Sequence, residues 1–194
     1  MRAELHTRFA SWLEAHGSTL VEFDEILGYH LERAFVFRTE LALPDEDGLA
    51  AAARRRLRAG GRRATIRKDF GATANLLERA VALIPADEVD LALELELVRA
   101  LNELGRSGDA LGRSESLVER GVARGDRVTE LCGTLEAGMI RMNVEPEGAT
   151  EKLDALVERA LVVLERADND IALYTAYHAR GSVAFTRAQT DTPR

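Results

Sequence analysis

The chain has 194 residues, of which 46% are hydrophobic and 30% charged, and its formal net charge is −7. That length suits one domain, or one short array of repeats, with enough chain to bury a core. The negative balance argues against a general nucleic-acid or anionic-membrane binder, and the single cysteine, Cys132, excludes an internal disulfide and fits a reducing cytoplasm.

Alanine, leucine, glutamate and arginine dominate, all strong helix formers, and only Pro44, Pro85, Pro146 and Pro193 interrupt the chain. Leu5, Phe9, Trp12 and Leu13 form a first apolar stripe that stops at His16-Gly17. The charged residues within it exclude a signal peptide or a membrane span. Thr19 followed by Glu22 has the spacing of a capping box. A second stripe then runs through Leu20, Phe23, Leu27, Leu31 and Ala34 towards Leu41, and Pro44 ends it. A third helix is expected from about Asp45 to Lys68, with Asp45, Glu46 and Asp47 in its first turn, where negative charge suits the helix dipole. Gly60-Gly61 inside that helix calls for close packing or a break, since each glycine costs about 1 kcal/mol relative to alanine.

A fourth helix is expected from Ala72 to Ile84, closed by Pro85. Leu91 to Leu97 alternates as a strand does, but Val98, Leu101 and Leu104 restore the helical period, so the segment reads as helix. Gly105 and Gly108 mark a turn before a sixth helix, Ala110 to Ala123. Asp126 is placed to cap a seventh, with the stripe Val128, Leu131, Cys132, Leu135, Met139 and Met142. After the loop Asn143 to Gly148, an eighth helix buries Leu153, Leu156, Val157, Ala160, Leu161 and Leu164. Asp168-Asn169-Asp170 separates it from a ninth, Ile171 to about Ala188, before a polar tail.

Helices joined by short loops lie antiparallel to their neighbours. A tetratricopeptide unit needs small residues where its helices cross, a large residue between them and a proline at the exit. Gly61, Leu77, Ala80 and Pro85 stand at that spacing, with Thr73 where alanine is usual. Gly105 and Ala110 repeat the turn-and-crossing pair, while Ser114 and Leu117 depart from it. Tyr177, Gly181 and Ala184 look like the first helix of a unit whose second helix is missing. The expectation is an all-α chain of about nine helices, as antiparallel pairs stacked in a right-handed, tetratricopeptide-like solenoid. Residues 1–43 would form an N-terminal helical pair, 44–188 the repeats continuous with it, and 189–194 a frayed tail.

The runs Leu5-His-Thr-Arg-Phe-Ala-Ser-Trp-Leu-Glu14 and Glu25-Ile-Leu-Gly-Tyr-His-Leu-Glu-Arg-Ala34 resemble a stretch of large actinobacterial signalling proteins. Those proteins join a class III adenylate/guanylate cyclase domain, or a regulatory output domain, to a STAND-type ATPase and a helical-repeat region. Asn75 to Pro85 is similar to the first clear repeat of that region. The resemblance implies a sensor or scaffold segment. The chain has no G-x-x-x-x-G-K-[ST] loop and no strand-borne aspartate pair, so neither the ATPase nor the cyclase activity carries over.

No nucleophile–base pair or metal-ligand spacing assembles on one helical face, and no cofactor is expected. His6, His16, His30 and His178 never recur at i, i+3 or i+4, and Cys132 reads as a small buried hydrophobe. Arg54, Arg55, Arg56, Arg58, Arg62, Arg63, Arg67 and Lys68 make the densest charge cluster, a possible basic patch. Helical geometry spreads these side chains around the cylinder, which favours a solvated face paired with Asp87, Glu88 and Glu94. Tyr174, Tyr177 and Phe185 either form an exposed patch for a partner or for self-association, or fold back onto the eighth helix. The chemistry as a whole suggests a cytoplasmic, non-catalytic interaction module for a protein or peptide. The alternatives are a small-molecule sensor and, less favoured, a nucleic-acid-contacting regulator that uses the arginine cluster.

Overall fold

The computed structural model of the protein describes residues 1–45 and 48–190, in which nine α-helices and no strand occur. They are α1 (Arg2–His16), α2 (Phe23–Glu40), α3 (Leu49–Ile66), α4 (Phe70–Val81), α5 (Leu91–Glu103), α6 (Ser107–Arg124), α7 (Arg127–Val144), α8 (Ala149–Leu164) and α9 (Asp170–Thr190). None of the described helices is long and apolar enough to cross a membrane. Glu46 and Asp47, expected in the first turn of α3, and tail residues 191–194 lie outside the described residues. The chain divides into two compact units, Met1–Ala100 and Leu101–Arg194.

In the first unit α1 packs on α2, α2 on α3 and α3 on α4, each pair antiparallel. Its core is aliphatic: Leu13, Leu27, Leu57, Leu77, Leu93 and Leu97 are fully buried. Gly60-Gly61 does not break α3. A Cβ on Gly60 would stand 2.8 Å from Glu25 Cγ of α2, and one on Gly61 would stand 2.9 Å from Leu77 Cδ2 of α4. The two glycines let one helix be approached closely on two sides. Thr73, in the alanine position, is buried and donates from its hydroxyl to the Asp69 carbonyl at 2.8 Å.

The second unit pairs α6 with α7, α7 with α8, and α8 with α9. Leu117, Leu135, Ile140, Leu153, Val157 and Leu164 form its core. Asp126 caps α7 as expected, accepting from the Thr129 N–H at 3.0 Å and the Thr129 hydroxyl at 2.7 Å.

Several local expectations fail, and each has a physical cause. No capping box forms at Thr19 and Glu22, because α2 begins only at Phe23 and its N-cap makes no side-chain bond. Asp45 does not lie within α3. It precedes the helix and accepts from the N–H groups of Leu49 at 2.7 Å and Ala50 at 3.0 Å, while Gly48 takes the left-handed conformation at φ 64°. Gly105 turns the chain at φ 80°, whereas Gly108 lies inside α6.

Candidate interaction surface

The arginine-rich helix α3 spends its charge internally. On one flank Arg56 and Arg63 both reach Asp24 of α2, Arg56 also meets Glu14 of α1 at 3.3 Å, and Arg67 meets Glu25 at 3.5 Å. On the other flank Glu96 of α5 accepts a two-pronged pair from Arg58 at 2.9 and 3.0 Å and a bond from Arg62 at 2.6 Å, and Asp90 lies 3.7 Å from Arg58. Asp24, Glu25, Asp90 and Glu96 are thus carboxylates that meet this cluster. Arg54 is half-buried and Arg55 exposed. Among the described residues at least five of the eight cations of this cluster meet carboxylates, and these lie on opposite sides of the cylinder.

Burial pushes the Glu96 carboxyl up, but the bonds from Arg58 and Arg62 outweigh it and hold Glu96 below its ordinary value. A carboxylate depressed in the fold contributes stability above its unfolded value, about 4.3, and loses it as pH falls through the folded value. Glu96→Gln is expected to lower stability at neutral pH by about 1–3 kcal/mol and to flatten the acid limb of the stability–pH curve. Urea unfolding as a function of pH measures both.

The surface with the most distinctive chemistry lies on α1 and α2. Of the chain's fourteen aromatic and histidine rings, His6, Phe9, Trp12, His16, Tyr29, His30 and Phe37 are linked ring to ring there. Trp12 stacks on His16 at 5.2 Å and 17°, and Phe9 lies 4.4 Å from His30. Of the first apolar stripe only Leu13 is buried. Ala10 joins it in the inward positions, and Leu5 is 61%, Phe9 40% and Trp12 54% exposed. Leu5, Phe9, Trp12 and His16 recur at steps of four, three and four, one stripe along the outer side of α1. Leu5, His6, Arg8, Phe9 and His30 line an open cleft of about 480 Å³. Arg33 lies 4.5 Å over the Phe37 ring and Arg2 5.9 Å from it, so cations border the rings.

Within this surface His6 and His30 share a hydrogen bond, Nδ1 to Nδ1, at 2.9 Å across the two helices. One ring must therefore donate and the other accept. Sequence spacing could not reveal the pair, because the two histidines stand on different helices. Burial, and then the neighbouring His6 charge, lower the His30 pKa. Tyr29 of α2 faces both rings, and Arg8 of α1 borders them. A base depressed in the fold contributes stability above its unfolded pKa, about 6.5, and loses it as pH falls through the folded value. The first unit is therefore expected to weaken on acidification below about pH 6.5, and His30→Asn to remove that part of the slope. Thermal melts between neutral and mildly acid pH provide the check.

On α9, Ala172, Ala176, Ala179 and Val183 face inward, and Tyr174, Tyr177 and Phe185 lie outward at 57%, 51% and 65% exposure. The Tyr177 hydroxyl donates to Glu165 at 3.1 Å, a bond that raises its pKa, and Tyr174 stacks on His178.

A third feature is a cleft of about 340 Å³ between α7 and α8. Gly138, Ala149, Leu153 and Leu156 form its apolar floor, and Thr134, Arg141, Lys152, Glu145 and Glu147 surround it. Cys132 is buried, and no group of three or more His, Cys, Asp and Glu side chains is gathered for a metal among the described residues. No family model matches the chain, and neither does any curated protein or solved structure.

Proposed function

We propose that the protein is a non-catalytic docking module built of tetratricopeptide-type helix pairs, and that the ring surface of α1 and α2 takes an amphipathic helix of a partner protein. The observation that carries this reading is the stripe Leu5, Phe9 and Trp12, left exposed on a helix whose inward positions are already filled. Large rings facing water in an aromatic-poor chain fit the helix-in-groove mode, in which apolar anchors at helical spacing enter a ring-lined surface. Arg2, Arg8 and Arg33 border the rings, so the complementary helix carries acidic flanks. The likeness of Leu5–Glu14 and Glu25–Ala34 to a stretch of actinobacterial cyclase and STAND-ATPase proteins, and of Asn75–Pro85 to their helical-repeat region, supports a place in a cytoplasmic signalling assembly.

A displayed library of helical peptides, titrated through the emission of Trp12, tests the reading. The selected peptides are expected to carry an apolar stripe with acidic flanks, to shift Trp12 emission, and to lose at least about tenfold in affinity against Phe9→Ala or Trp12→Ala. Peptides that bind both variants as tightly as the parent would overturn it.

The α7–α8 cleft favours a second reading, a small-molecule sensor. Its volume lies at the lower end of ligand pockets, and its floor is apolar with polar groups of both signs around it. Amphoteric compounds that raise the melting temperature of the parent but not of Leu156→Arg would support this second reading over the first.

A further inference from the structure

The outward face of α9 has a pattern that the α1–α2 surface lacks: its large and small residues are segregated by end. Ile171, Tyr174, Tyr177 and His178 occupy the first half, and Gly181, Ala184 and Ala188 are the small residues of the second, joined there by Phe185. All these positions are exposed. A Cβ built on Gly181 meets nothing within 4 Å, so the centre of the face is bare backbone open to solvent.

We infer that this face binds its own counterpart on a second copy of the chain, with the two α9 helices antiparallel about a two-fold axis at Gly181. In an antiparallel pair, facing residues have numbers that sum to a constant, and with Gly181 on the axis the facing residues follow directly. Tyr174 meets Ala188 of the other copy, His178 meets Ala184, Tyr177 meets Phe185, and each relation occurs twice. Large side chains thus lie over small ones, and the remaining contact is aromatic on aromatic, the interlocking that close helix packing requires. Glycine on the axis lets the backbones approach. A large side chain there would hold them apart.

The basic residues of α9 are held within the chain, Arg187 by Asp154 of α8 at 2.7 Å and Arg180 at 4.0 Å from Glu158, so the face offered to a second copy is apolar. Antiparallel pairing also opposes the helix dipoles. An isologous contact of this kind closes on itself as a dimer and does not propagate.

The size of the face sets the strength. Three half-exposed aromatic side chains with their small neighbours offer about 450 Å² per copy, or roughly 900 Å² for the pair, at the weak end of specific interfaces. A dissociation constant on the order of 10–100 µM is expected.

Cysteine cross-linking tests the register, and sedimentation tests the association. Gly181→Cys places a thiol on the axis, within disulfide reach of its own copy. It is expected to form a covalent dimer under oxidised glutathione, with the buried Cys132 taking no part. Ala188→Cys alone is expected to stay monomeric, but to cross-link to Tyr174→Cys when the two variants are mixed. Gly181→Arg, in open space on a helix surface, keeps the melting temperature and is expected to abolish the concentration-dependent dimer seen by sedimentation. A strict monomer up to about 1 mM, or a dimer that persists in Gly181→Arg, overturns the inference. Self-cross-linking of Ala188→Cys in place of Gly181→Cys overturns the antiparallel register. None of these outcomes bears on peptide docking at Phe9 and Trp12, which is read separately.

Discussion

Gly121→Ala is expected to lower the stability of the second unit by about 2 kcal/mol or more. Gly121 of α6 lies where α7 begins, and a Cβ there would stand 2.5 Å from the Glu130 nitrogen, 2.9 Å from its Cα and 3.0 Å from the Asp126 carbonyl oxygen. These are backbone atoms, which cannot rotate aside as a side chain can. The helices must separate instead, and Leu117 and Leu131 lose contact with one another's surroundings as they do. Overpacking of this kind costs about 1–3 kcal/mol and occasionally more, while the better helix propensity of alanine returns at most about 1 kcal/mol. Gly112 in the same helix is the control, because nothing lies within 4 Å of its added Cβ. Gly112→Ala is expected to stabilise by about 0.5–1 kcal/mol. Urea unfolding of the two variants should therefore move the midpoint in opposite directions.

Asp24→Ala is expected to be the most damaging single change in the first unit, at about 2–4 kcal/mol. Asp24 is buried at the start of α2, where it accepts from Arg56 at 3.0 Å and from Arg63. Arg63 reaches Asp24 through Nη1, while its Nε and Nη2 are buried and find no acceptor among the described residues. Removing the carboxylate leaves two cations side by side, with Arg56 keeping Glu14 at 3.3 Å and Arg63 losing its bond to Asp24. Breaking a buried pair from one side costs about 3–5 kcal/mol, and the partial exposure of both guanidinium groups reduces that figure. The cost belongs to the unpaired charge, so replacing both partners should recover much of it. Asp24→Leu combined with Arg63→Met is expected to be more stable than Asp24→Leu alone, and a double-mutant cycle under urea gives the coupling directly.

Which parts of this molecule were legible in its sequence follows from the range of the forces involved. Helical periodicity is a local signal, and it gave all nine helices, including α5, whose first residues alternate like a strand. Asp126 was also readable, because an N-cap acts within three residues. The meeting of Gly61 and Leu77 was readable from the spacing of one helix pair. The ring surface was not. On α1 the apolar arc is wider than one neighbouring helix can cover, and periodicity alone does not say that Ala10 and Leu13 win the inward positions over Phe9 and Trp12. His6 and His30 pair across 24 positions of sequence, beyond any local spacing rule. The charge partners Asp24 and Glu96 were beyond reach for the same reason, since they stand 32 positions from Arg56 and 38 from Arg58 and are brought there by packing.

The central claim is that the exposed rings of α1 and α2 are a working surface rather than an incidental one. The most direct measurement is amide chemical-shift mapping of the full chain on titration with an acid-flanked amphipathic helix selected from a displayed library. The account predicts saturable shifts confined to α1 and α2 around Phe9, Trp12 and Tyr29, weakened by salt as the bordering arginines are screened. Shifts centred on Leu153 and Lys152 in the α7–α8 cleft, with α1 and α2 unmoved, would contradict it.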